Sequence, residues 1–73
     1  MKYSKRIQNR VSRIEGQVGG IKRMIVGGTE EEKLMTQLQA VISSLESLKL
    51  ELVKNQMKET LVEDVKKSLG LSD

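Results

Sequence analysis

The sequence predicts an all-α protein: a helical hairpin followed by a short C-terminal helix, paired with a second copy into an antiparallel four-helix bundle, with scope for a dimer of dimers. Three observations carry this. The apolar residues are almost wholly Leu, Ile, Val and Met, with no Pro, Phe or Trp and Tyr3 as the one aromatic residue, a composition that favours helix over sheet. Along two long stretches they recur at alternating steps of four and three, the spacing of a helix with one packing seam. A chain of 73 residues without Cys or His cannot complete a small core with a disulfide or a common metal site, which leaves association with other copies.

The first helix is predicted from about Ser4, as cap, to Val26. Its seam is Ile7, Val11, Ile14, Val18, Ile21 and Ile25. Gly27 and Gly28 end it, because glycine most readily takes the left-handed conformation just past a helix. Thr29 with Glu32 three residues later reads as a capping box that starts the second helix, with Glu30, Glu31 and Glu32 at the positive end of its dipole. There Leu34, Leu38, Val41, Leu45, Leu48 and Leu52 form the stripe, and Met35, Ile42 and Val53 widen it. This helix is predicted to reach Met57 or Thr60. A break is then expected before a short third helix with Leu61, Val62, Val65 and Leu69, stopped by Gly70. Two seamed helices joined by a two-residue break fold back on each other, and the longer second helix leaves part of its stripe for another chain. The whole chain, 1–73, reads as a single helical domain.

Charge is unevenly placed. Residues 1–28 carry seven Lys and Arg against Glu15 alone, a net of +6, whereas residues 29–73 net −3. Such asymmetry points to nucleic acid or another anionic surface. No apolar run approaches the ~18 residues of a spanning helix, and the first ten residues lack the apolar stretch of a signal peptide, so a cytoplasmic protein is expected.

Arg6, Arg10, Arg13 and Gln17 are spaced four, three and four, each one position before a seam residue, and so line one edge of the first helix. Lys5 adds to the charge at the start of that edge. Arginines on a rigid helix contact phosphates bidentately and release counterions; the bland alternative is a solvated helix face. Gly16, Gly19 and Gly20 inside the helix each cost about 1 kcal/mol relative to Ala, which a close approach by another helix, or by DNA, would explain. Asn55 and Gln56 interrupt the end of the second stripe, as a surface or as a specificity device in the bundle.

The run from Arg10 through Arg13-Ile14-Glu15-Gly16-Gln17 to Gly20-Ile21 and Arg23-Met24-Ile25, followed by Leu34, Thr36-Gln37 and Ala40-Val41, resembles the signature of the copper-sensitive operon repressor family, which includes nickel/cobalt and formaldehyde sensors. The resemblance covers roughly residues 4–62. It implies an all-α dimer that pairs into a flat tetramer and holds double-stranded operator DNA until an effector releases it. It places Arg10 as the match to a DNA-contacting arginine, with Arg13 and Gln17 beside it. The family senses through a Cys near the start of the second helix and a His and Cys four residues apart near its end, from different subunits. At those positions this chain carries Glu31, Gln56 and Thr60. Carboxylate, amide and hydroxyl suit copper(I) poorly, so no metal cofactor is expected. The pocket then takes a harder or organic effector, is silent in a constitutive DNA-binding protein or partner of a sensing paralogue, or has had its ligands replaced by design. Met24, Met35 and Met57 read as packing.

No catalytic pair, triad or phosphate loop can be assembled from this composition, and the narrow apolar face of the first helix, without aromatic anchors, argues against a membrane surface. The rival to a repressor is a helical-bundle interaction module, or a silent paralogue that does not bind DNA on its own.

Overall fold

The computed structural model describes residues 3–70. Within them lie two helices and no strand: α1, Lys5–Val26, and α2, Glu31–Ser68. The Ser4 hydroxyl accepts the Ile7 amide at 3.2 Å and caps α1 as expected. At its other end the Gly28 amide donates to the Ile25 carbonyl at 3.2 Å and the Thr29 amide to the Met24 carbonyl at 2.9 Å, with Gly28 left-handed at φ 69°. That pair of bonds is a Schellman motif, and it absorbs two carbonyls that the helix end would leave bare.

Two boundaries differ from the sequence reading. Thr29 is spent on closing α1, and the capping box with Glu32 is not made: the cap of α2 is Glu30, with no side-chain bond, and the acidic first turn alone favours this end. The break near residues 57–60 does not occur either. No Gly or Pro stands between Gly28 and Gly70, so nothing stops helix propagation, and α2 runs as one piece of 38 residues. The short third helix is thus its last turns. Gly70, at φ 71°, follows the end of α2, and its amide donates to the Lys67 carbonyl at 3.1 Å.

The helices lie antiparallel. Arg6 meets Glu51 at one end, and Gly20 comes beside Gln37 towards the other, so the two residue numbers at each crossing add to 57. By that register α1 runs out near residue 52 of α2, and the remainder of α2 projects alone, giving a rod of 62 × 21 × 12 Å.

The predicted single seam is divided in two. The face of α1 turned to α2 carries Ile7, Arg10, Ile14, Gln17, Ile21 and Met24, all buried or half-buried, whereas Val11, Val18 and Ile25 are exposed. On α2 the inward face is Leu34, Gln37, Val41, Ser44, Leu48, Glu51 and Asn55, and Met35, Leu38, Ile42, Leu45 and Val53 are exposed. Only Ile7, Ile14 and Val41 are buried among the described residues. A compact chain of 8.2 kDa exposes about 4,500 Å², whereas this one exposes 6246 Å². The hairpin has a second, apolar side with nothing on it.

Candidate nucleic-acid interface

The arginine edge forms because residues four or three apart stack on one side of a helix. The turn at Gly27-Gly28 then lays that edge against α2. One groove between the helices is lined by Arg10, Arg13, Ile14 and Gln17 from α1 and Ser43, Ser44 and Ser47 from α2. A second shares Arg10 and Ser47 and continues past Arg6, Glu51, Lys54, Asn55 and Lys58. The two form one track in which Glu51 is the only anion among the lining residues.

Glu51 is the pivot of the track. Its Oε1 lies 3.4 Å from Arg6 Nε and its Oε2 3.4 Å from Arg10 Nη1. The Arg6 side chain is 74% exposed, those of Arg10 and Glu51 only 29% and 21%. Glu51 Oε2 and Gln17 Oε1 are buried without a hydrogen-bond partner, so the Arg10 contact is an ion pair by distance and not a hydrogen bond. Arg13 is exposed on the groove wall, and Lys5 is exposed at the first position of α1.

The sequence reading missed the contribution of α2. Glu51, Lys54 and Lys58 step by three and four, and Ser43 and Ser47 by four, the same one-sided spacing that singled out the arginines. What hid them was their mixture of charges and hydroxyls, which reads as a solvated face.

The interior glycines are not explained by close packing within the chain. A Cβ at Gly16 would meet nothing within 4 Å; at Gly19 and Gly20 it would touch only the ends of Arg23 and Gln37 side chains, at 3.4 Å or beyond.

Glu31, Gln56 and Thr60 are not brought together in one chain. Glu31 opens α2, whereas Gln56 and Thr60 are exposed one turn apart on its projecting end. Glu31 and Gln56 stand 25 positions apart on one continuous helix, about 37 Å at ~1.5 Å per residue. No three His, Cys, Asp or Glu side chains cluster to hold a metal among the described residues.

The family model for metal-sensitive transcriptional repressors matches residues 3–72. The chain belongs to that family. No curated protein and no solved structure matches it. That family is one of transcriptional repressors and not of enzymes. No helix among the described residues is long and apolar enough to cross a membrane. The groups that the sequence reading assigns to the sensing positions, Glu31, Gln56 and Thr60, are a carboxylate, an amide and a hydroxyl, and these donors do not fit a soft cation.

Proposed function

We propose that this protein is a DNA-binding transcriptional repressor whose arginine edge, with Lys5, Arg6, Arg10, Arg13 and Gln17, grips the backbone of double-stranded operator DNA. The observation that carries the reading is the groove itself: three arginines, two lysines and three serines along one track, on a chain whose family regulates transcription. Guanidinium forks suit phosphate oxygens, and serine hydroxyls add donors to the same anion. The working unit is a dimer or tetramer, since the uncovered apolar side is too large for a lone chain. A second copy would also be needed to bring Glu31 near Gln56 and Thr60. That pocket takes an effector other than copper(I), one that oxygen and amide groups can hold.

The experiment is fluorescence anisotropy on labelled duplex from upstream of the protein's own gene, against a scrambled duplex, over a salt series. Selective binding that falls steeply with salt, and that Arg10→Ala weakens without dissociating the oligomer, supports the reading. Weak, equal retention of both duplexes would return it to an interaction module or a silent paralogue.

A further inference from the structure

We infer that Glu51 acts as an internal stand-in for phosphate, which holds Arg6 and Arg10 in the free protein and so limits how tightly the groove takes DNA. The inference rests on the DNA-binding reading above. Two guanidinium groups from successive turns of α1 converge on one carboxylate from α2, each at 3.4 Å. A carboxylate and a phosphate ask for the same donors, so one anion occupies the place that the other requires. The other charged residues lining that part of the groove, Lys54 and Lys58, are cations.

The alternative is that Glu51 helps by pre-orienting the arginines. The geometry argues against it. Arg6 is 74% exposed, and exposed ion pairs fix a side chain only weakly. The Arg10 pair lacks the hydrogen-bond geometry that would aim the fork, as the unbonded Oε2 shows. Glu51 is meanwhile carried on the helix face that lines the groove and only 21% exposed, so its charge stays at the groove when a phosphate arrives. Its charge then stands beside the incoming phosphate, where partial burial screens it less than solvent would.

The test is Glu51→Gln, which keeps the shape and removes the charge, with Glu46→Gln as the control for net charge alone. Glu46 is exposed and lines neither groove. Anisotropy on the upstream and scrambled duplexes is read over a salt series, and circular dichroism verifies that each variant is folded. The expected result is that Glu51→Gln binds both duplexes about five- to tenfold tighter at near-physiological salt, with a salt slope steeper by about one unit for each additional phosphate neutralised. Glu46→Gln should stay within about twofold, as an exposed, solvent-screened charge outside the groove does. Weaker or unchanged binding by Glu51→Gln, while Arg10→Ala still weakens it, overturns the inference and leaves the DNA reading intact. Equal tightening by both glutamine variants also overturns it, as an effect of net charge. If neither Arg10→Ala nor Glu51→Gln changes duplex binding, the DNA reading itself has failed.

Discussion

The Thr29 amide donates to the Met24 carbonyl at 2.9 Å across a left-handed Gly28, and this closure turns the chain so that the arginine edge of α1 faces α2. A non-glycine residue in that conformation costs roughly 1–2 kcal/mol. Gly28→Ala is therefore expected to lower stability by about that amount, some 4–8 °C in Tm for each kcal/mol. Thermal unfolding followed by circular dichroism at fixed protein concentration checks it; an unchanged Tm would mean that the turn is not held as described.

The two helix starts separate a working cap from an idle one. Ser4 accepts the Ile7 amide, so Ser4→Ala should cost about 0.5–2 kcal/mol. Thr29 contributes its backbone, and α2 begins without a side-chain cap, so Thr29→Ala should stay within about 0.5 kcal/mol. Denaturant titration of the pair decides the matter, and a larger loss for Thr29→Ala would restore the capping box.

The composition and the four-three spacing made the two helices and their turn legible, because Ser4, Gly27-Gly28 and the apolar steps are local signals. The division of the seam was not. Ile7, Ile14 and Ile21 face α2 while Val11, Val18 and Ile25 do not, and nothing in their chemistry tells the two sets apart. The distinction comes from Arg10 and Gln17, which fill the alternate positions of the inner face opposite Ser44 and Glu51. Polar residues were read as lying beside a seam when they form part of one. For the same reason the first-helix half of the groove was legible and the second-helix half was not. The continuity of α2 was masked by the change in phase of its stripe beyond Val53, which imitates a break although no residue there breaks a helix.

The uncovered apolar side should hold the assembly together. Leu45 is exposed in the chain and lines a mainly apolar cleft with Val11, Val18 and Leu48, at whose edge Glu15 is exposed. A carboxylate there has no partner once another chain covers it, at a cost of several kcal/mol. Leu45→Glu is expected to abolish oligomers in light scattering at micromolar concentration, with loss of helicity, since three buried residues make too small a core. A folded, helical Leu45→Glu monomer would sink the expectation.

At Gly16 a Cβ meets open space, so within the chain the glycine only weakens the helix. Gly16→Ala should add about 1 kcal/mol of stability, measured as a rise in Tm. A fall instead would place another chain's backbone against this face.

The proposed effector positions, Glu31, Gln56 and Thr60, offer the sharpest test of assembly. The wild-type protein should lose copper(I) to a chromogenic chelator, because its oxygen and amide donors are mismatched to a soft ion. Glu31→Cys, Gln56→His and Thr60→Cys together supply two thiolates and an imidazole. Positions 31 and 56 lie about 37 Å apart along α2, so these donors can converge only if two chains run antiparallel beside each other. The triple variant should hold one copper(I) per protomer against the chelator, and the same variant carrying Leu45→Glu should not. Retention by the dissociated, unfolded chain would show that the ion needs no assembly, and failure of the assembled form to bind would show that the start of one α2 does not lie beside the end of another.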